Sequence, residues 1–187
     1  MNAPDRAIAR RHNGGLAHCP SSNTKLASGV MPAVDFLAAG LNVGLGSDGP
    51  AGSNNDFSMF EEMDPASNPA KVTPATPLAL PAETVFAMAT IMGAHAIALG
   101  PKTAPLDPGK PPPFTPLPLA PPPPTPRHDP YSMLVYTLKG SDVLDVVIEG
   151  RVTVRGRRPL TLDQAGILRR AAQLRARIEA SLQETKP

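Results

Sequence analysis

Proline is concentrated in one stretch of this 187-residue chain. Fourteen of the 25 prolines lie between Pro101 and Pro130, and residues 111–126 read PPPFTPLPLAPPPPTP. Proline fixes φ and has no N–H to donate to a ladder, so this stretch predicts extended polyproline or irregular chain that cannot pair as a strand. The chain is thereby divided into residues 1–100, a proline-rich segment of residues 101–130, and residues 131–187.

Composition excludes several classes of protein without indicating any chemistry. A net charge of +2 is too small to favour nucleic acid or an anionic membrane as the main partner. The single cysteine, Cys19, rules out an internal disulfide framework and fits a reducing compartment. No run of apolar residues is long enough for a membrane span, and residues 1–15 lack the apolar region of a secretory signal. We expect a cytoplasmic protein with no membrane partner.

The first hundred residues show the pattern of a βα repeat. Residues 15–18 form a short apolar run typical of a buried strand, and residues 41–46 form a second. Between them, Pro32 suits the start of a helix and Gly40 its end. The apolar residues expected to be buried by that helix are Val34, Phe36 and Leu37. Strand, helix and strand at this spacing predict an α/β fold with a parallel sheet.

Three further elements follow from periodicity and turn residues. Residues 81–99 predict one continuous helix that ends at Gly100, with an apolar stripe of Val85, Met88, Met92 and Ala96. Residues 143–154 contain two β-branched runs around Glu149-Gly150, which predicts a hairpin. A last helix is expected from Thr161, with Gln164 completing a capping box. Its apolar stripe comprises Ile167, Ala171, Leu174, Ile178 and Leu182.

Two segments carry candidate chemistry. Residues 17–29 read AHCPSSNTKLASG, and residues 44–63 read GLGSDGPAGSNNDFSMFEEM. Asp48 follows the second predicted strand among glycines, at the edge of a parallel sheet where ligands bind. A carboxylate there can bind a metal ion and exchange a proton with a metal-bound water, or it can simply cap its own turn. His18 is open as well, as a ligand or substrate contact or, in the ordinary case, as a satisfied histidine at a strand end.

The wording of these segments resembles the amidohydrolase superfamily. HCPSSNTKLASG, followed by VGLGSDGPAGSNNDF and FEEM, is similar to methylthioadenosine/S-adenosylhomocysteine deaminases and related chlorohydrolases and guanine-type deaminases. The resemblance continues through LPAETVFAMATIMGAHAIALG and through DPYSMLVYTLKGSDVLDVVIEGRVTVRG. It therefore covers nearly the whole chain from about Gly15 onward.

The resemblance implies a metal-dependent hydrolase with a (β/α)8 TIM barrel and a small β-sandwich domain. Residues 1–100 would supply barrel strands seven and eight, and residues 131–187 would supply a remnant of the sandwich and a helix. Asp48 would bind the catalytic Zn²⁺ and carry a proton from the attacking water to the leaving amine. His18, Ser21 and Asn23 would line the pocket for a purine-like substrate. Cys19 is expected to be a packing residue, because nothing nearby would lower its pKa.

The rest of the family's metal site has no counterpart in this sequence. The family uses a His-x-His pair and two further histidines, whereas the four histidines here are His12, His18, His95 and His128, with no pair at that spacing. His95 is interpreted as a surface or half-buried helix residue. We therefore expect a C-terminal fragment that is inactive alone and that needs a separate N-terminal half or a homo-oligomer. Three prolines in residues 64–76, where the family has a smooth helix, further suggest a degenerate sequence.

Two alternatives without catalysis remain open. The proline-rich segment could dock into an aromatic-lined groove of another protein, which would make the chain a non-enzymatic interaction fragment. Arginines of the last helix could bind nucleic acid, although a solvated polar face is the ordinary explanation for Arg169, Arg170, Arg175 and Arg177.

Overall fold

The computed structural model describes residues 1–50, 52–72, 75–100, 113–117 and 129–184. Its N-terminal elements are α1 (Ala3–Arg11), β1 (Gly15–His18), α2 (Pro20–Lys25), α3 (Ala33–Ala38), β2 (Asn42–Leu45), α4 (Met59–Val72), α5 (Ala82–Ala89) and α6 (Ile91–Ala96). After residue 128 come α7 (Pro130–Ser132), a π-helical turn (Met133–Thr137), a 3₁₀ turn (Gly140–Asp142), β3 (Val146–Ile148), β4 (Arg151–Arg155), β5 (Arg158–Pro159) and α8 (Gln164–Glu184).

The predicted βα repeat is confirmed. β1 and β2 pair in parallel, with Gly15 opposite Asn42 and His18 opposite Leu45. Two helices lie between the strands, and the predicted one is α3, which is followed by Gly40 at a φ of +73°. The backbone N–H of Gly40 donates to Leu37 O and that of Leu41 to Phe36 O, which closes the helix as a Schellman motif.

The burial expected on α3 is only partly correct. Phe36 is buried and Leu37 packs against the core, but Val34 is exposed. A helix of six residues presents less than two turns to the sheet, so only one narrow stripe of its surface is covered.

The helix predicted over residues 81–99 is broken into α5 and α6 at Thr90. Thr90 has φ −126° and ψ −101°, and its side-chain hydroxyl donates to Phe86 O at 2.7 Å. The break lets α6 lie directly on the sheet, where a side chain at Gly44 would collide with the backbone of Gly93. The chain then leaves α6 through Ala98, at φ +59°, so the expected ending at Gly100 is wrong.

Prolines do not interrupt α4. Pro65 and Pro69 lie inside this helix, which continues to Val72. The prolines are four residues apart and therefore share one face, while Met63 and Ala66 enter the core. The helix expected from the family therefore persists to Val72, although two of the three prolines of residues 64–76 lie within it.

The hydrophobic core is shared between the two ends of the chain. β2, α4 and α5 contribute Val43, Met63, Val85 and Met88, and the π-helical turn contributes the fully buried Val135. The division at residues 101–130 stays a prediction. Most of the proline-rich segment, including His128, lies outside the described residues.

The predicted hairpin is confirmed between β3 and β4. Glu149 and Gly150 have φ of +51° and +75°, the positive values that a type I′ turn requires. Phe114 forms an antiparallel bridge with Val147, its N–H and C=O each bonded at 3.0 Å. The expectation that the proline-rich segment cannot pair is therefore wrong at Phe114, a non-proline residue that keeps its N–H.

The last helix begins later than predicted. α8 starts at Gln164, and Asp163, instead of Thr161, accepts the N–H of Gly166 at 3.0 Å. An Asp oxygen three residues ahead is an ordinary N-cap acceptor, so the capping box with Gln164 does not form. The apolar stripe of α8 is exposed within the described residues, as are its arginines. No helix in the described ranges is long and apolar enough to cross a membrane.

A polar cluster fastens the C-terminal part to α4. The hydroxyls of Ser67 and Tyr136 lie 2.6 Å apart, and Ser67 is fully buried. The Lys71 ammonium donates to the Tyr136 hydroxyl and lies 4.9 Å from the centre of that ring. The cluster joins α4 to the π-helical turn across the core.

We predict that Tyr136→Phe lowers the free energy of unfolding by about 0.5–1.5 kcal/mol, because it removes the hydrogen bond between the two hydroxyls while Ser67 keeps its 3.3 Å bond to Leu80 O. Chemical denaturation of both proteins measures the difference. Tyr131→Phe is the matched control, since the Tyr131 hydroxyl has no hydrogen bond within the described residues and its ring contact with Phe86 is kept. Equal effects of the two substitutions would contradict this role.

Candidate functional site

The candidate site lies at the carboxyl ends of β1 and β2. β1 ends at His18, and the chain turns through Cys19 into α2. β2 ends at Leu45, and the Gly46 N–H donates to His18 O at 2.9 Å, which holds the two strand ends together. Because the strands are parallel, the loops that follow them meet at this one edge.

Asp48 occupies this edge with its side chain exposed. Its carboxylate accepts the Ser22 hydroxyl at 2.7 Å and the Gly49 N–H at 2.8 Å. Asp48 therefore caps its own turn, as one of the two sequence interpretations expected, and also accepts a hydrogen bond from α2. Its binding of a metal ion stays a prediction. Hydrogen bonds from Ser22, Gly49 and Ser53, in that order, lower the pKa of Asp48, and the carboxylate is ionised at neutral pH.

The backbone of Asp48 is in the left-handed region, with φ +60°. That conformation is uncommon for a residue with a side chain, and Asp tolerates it better than most. Neighbouring groups must hold it there.

His18 is buried, with 3% of its surface exposed, and its Nδ1 atom has no hydrogen-bond partner within the described residues. Burial lowers the pKa of His18, so the ring is neutral at pH 7. The sequence interpretation of His18 as a strand-end histidine with all its hydrogen bonds satisfied is wrong for the Nδ1 atom. The Nδ1 atom thus keeps a hydrogen-bonding capacity that the described residues do not use.

Ser21 and Asn23, the other predicted pocket residues, lie half-buried on α2. The backbone N–H of Ser21 donates to the Glu62 carboxylate at 3.1 Å. The Asn23 N–H donates to Cys19 O within the helix. Whether their side chains contact substrate stays a prediction.

Cys19 is half-buried at the start of α2. Burial and the nearby charges of Asp48 and Glu62 raise the pKa of its thiol. This agrees with the expectation of a packing residue, because the thiolate form is disfavoured. His95 is exposed on α6, also as expected.

Sequence reasoning missed three residues that organise the site. Ser22 binds Asp48, and Asn54 and Glu62 form a buried pair with Nδ2 and Oε1 2.7 Å apart. Glu62 stood within the recognised FEEM string, but no role was assigned to it. Helical periodicity could have indicated its burial, since α4 turns Glu62, Met63, Ala66 and Ser67 inward.

The described residues do not make a complete zinc site. A catalytic zinc takes three protein ligands and a water. Among the residues that the structure describes, no group of three or more His, Cys, Asp or Glu could hold a metal ion. Asp48 alone can supply at most one of the required ligands.

Comparison with known proteins establishes the family. Residues 2–153 match the amidohydrolase family, and the chain belongs to it. It is 41% identical over 182 residues to the 5-methylthioadenosine/S-adenosylhomocysteine deaminase of Desulforudis audaxviator, covering 97% of this chain and 42% of that protein. It is 40% identical over 167 residues to the 5′-deoxyadenosine deaminase of Methanosarcina acetivorans, covering 89% of this chain and 38% of that protein. The chain thus spans less than half the length of these curated relatives.

Solved structures agree with this assignment. The zinc-bound adenosine deaminase of Xanthomonas campestris superposes with a TM-score of 0.88 at 33% identity, covering 96% of this chain and 41% of that one. The zinc complex of atrazine chlorohydrolase from Arthrobacter aurescens gives 0.77 at 22% identity, covering 93% of this chain and 38% of that one, and shows the shared fold. The resemblance to amidohydrolases is confirmed.

We predict that Ser22→Ala raises the pKa of Asp48 toward its ordinary value, because Ser22 makes the largest contribution to lowering it. A depressed carboxyl pKa stabilises the fold above the unfolded-state pKa, and this stabilisation is lost as pH falls through the folded-state pKa. The variant therefore loses less stability on acidification from this group.

Carboxyl-carbon NMR titration measures the shift. Asp129 is the internal control, since Ser132 and the N–H of Tyr131 and Ser132 lower its pKa independently of Ser22. An Asp48 midpoint that does not move in Ser22→Ala would contradict the assigned hydrogen bond.

Proposed function

We propose that this chain is the carboxyl-terminal part of a zinc-dependent deaminase that hydrolyses the exocyclic C–N bond of an adenosine-like nucleoside. The observation that carries the proposal is Asp48, an ionised carboxylate fixed at the carboxyl edge of a parallel β-sheet in a chain of the amidohydrolase family. Relatives named as deaminases of adenosine derivatives support the substrate class.

The proposal assigns the elements of the fold to parts of a barrel. β1 and β2 are the seventh and eighth strands of a TIM barrel, and β3–β5 are a remnant of the small β-sandwich. Two strands cannot close a barrel, since closure requires strands on both edges. The superposition with a chain more than twice as long supports this placement.

Within the site, each predicted residue has a distinct proposed role. Asp48 would be one ligand of the metal and the group that would take a proton from the attacking water and return it to the leaving amine. Buried His18, neutral and with Nδ1 unpaired, faces the purine-like substrate together with Ser21 and Asn23. The remaining metal ligands would come from the region of the relatives that this chain does not match. That region could be supplied by the same polypeptide, by a separate N-terminal half or by another subunit of an oligomer. We place the assembled enzyme in the cytoplasm.

The test is complementation. The chain is co-expressed with the part of the Desulforudis audaxviator deaminase that it does not match, and ammonia release from 5′-methylthioadenosine is measured with zinc supplied. We predict activity only when both parts are present. Asp48→Asn should lower kcat by at least about a hundredfold, because it removes the proton-accepting carboxylate.

The matched control is His95→Gln, an exposed position on α6 away from the strand ends, which should leave activity unchanged. A co-purified complex whose activity survives Asp48→Asn would contradict the proposed role of Asp48. A stable complex without activity on adenosine derivatives would overturn the substrate class.

A further inference from the structure

We propose that Glu62 is a positioning residue that sets the direction of the Asp48 carboxylate by holding both the first turn of α2 and the loop after β2, which meet there. The catalytic meaning of this role rests on the proposed function. The mechanical coupling rests only on the contacts of the described residues and can be tested separately.

The first connection runs through α2. Glu62 Oε2 accepts the backbone N–H of Ser21 at 3.1 Å. The next residue is Ser22, whose hydroxyl donates to Asp48 Oδ2 at 2.7 Å. Since the two serines are adjacent in the first turn of α2, a shift of the Ser21 amide displaces the Ser22 hydroxyl as well. Glu62 thereby fixes one hydrogen-bond donor to Asp48.

The second connection runs through Asn54. Its side-chain amide nitrogen donates to Glu62 Oε1 at 2.7 Å and to Ser47 O at 2.6 Å. An amide NH₂ has two hydrogens and can make both bonds at once. Ser47 immediately precedes Asp48. The side chain of Asn54 therefore holds the peptide group that joins Ser47 to Asp48, whose backbone is in the left-handed region.

The chemistry of position 62 fits this role better than a packing role. Glu62 is 0% exposed, and no salt bridge within the described ranges includes it. Burying a carboxylate is costly unless hydrogen bonds compensate, and an apolar residue would fill the space at lower cost. A carboxylate suits two donors that converge from α2 and from the loop after β2, because it offers a separate acceptor oxygen to each, whereas a side-chain amide offers one.

Glu62→Gln is the decisive substitution. Glutamine has the same shape, but its NH₂ group must face one of the two donors, Ser21 N–H or Asn54 Nδ2. One of the two connections is then broken while the volume of the side chain is kept. Glu61→Gln is the matched control, the same change on the exposed neighbour in the same helix.

The readout is amide hydrogen exchange in the 187-residue chain, which requires neither zinc nor activity. The Gly49 N–H is protected by Asp48 Oδ1 at 2.8 Å and Ser53 Oγ at 3.1 Å, and it reports the placement of the carboxylate. The Val85 N–H, bonded to Pro81 O at 3.1 Å, reports the core. We expect exchange at Gly49 to accelerate by about tenfold or more in Glu62→Gln, with Val85 unchanged.

Each outcome decides the inference. Unchanged exchange at Gly49, or equal acceleration at Gly49 and Val85, would overturn it, since a merely structural role would affect both amides alike. Acceleration at Gly49 in Glu61→Gln would also overturn it. If Glu62→Gln does not fold, Asn54→Ala decides by the same criterion, because it removes the connection to Ser47 and leaves the Ser21 bond. A stable complemented complex that is inactive but shows selective acceleration at Gly49 would overturn the proposed substrate class and leave the positioning role standing.

Discussion

The buried carboxylate of Glu62 is the interaction on which the candidate site depends. Glu62 is buried on the inward face of α4. Its Oε2 atom accepts a hydrogen bond from the first turn of α2, and its Oε1 atom accepts one from the loop after β2. Both segments lead to Asp48. The Ser22 hydroxyl of α2 donates to the Asp48 carboxylate, and Asn54 donates to the carbonyl of Ser47, the residue before Asp48. The exposed carboxylate of Asp48 at the edge of the sheet is thus positioned by the buried carboxylate of Glu62.

The sheet can support this arrangement because helices approach it closely on the side of α6. Gly44 leaves no room for a side chain against Gly93, and Gly15 leaves none against Ala96. The break at Thr90 reorients α6 so that this contact is possible. The core packs β2 against α5 and the π-helical turn, through the fully buried side chains of Val43, Val85 and Val135.

Local signals predicted the elements that short-range chemistry determines. The strand at residues 15–18 follows from an apolar run, and the helix stop follows from Gly40, which adopts a positive φ. The hairpin follows from Glu149-Gly150 between two β-branched runs. Asp48 was predicted from its place after a strand and from the family resemblance. These features depend on a few neighbouring residues, which the sequence displays directly.

The errors arose where tertiary contacts outweigh local preference. Periodicity alone could not reveal that Thr90 breaks a helix so that Gly93 can meet Gly44. Proline content alone suggested that this region is degenerate. The burial of Met63 and Ala66 instead stabilises α4, which continues past Pro65 and Pro69. Glu62 was overlooked for the same reason, since its partners Ser21 and Asn54 lie 41 and 8 residues away along the chain.

We propose that Asp48 belongs to a metal site whose other ligands lie outside the part of the chain that the structure describes. The most direct measurement is the zinc content of the complex with the unmatched part of the Desulforudis audaxviator relative, by elemental analysis, for the native chain and Asp48→Asn. The account predicts nearly one zinc per native complex and a large loss in the variant. Equal zinc content in both complexes would contradict it.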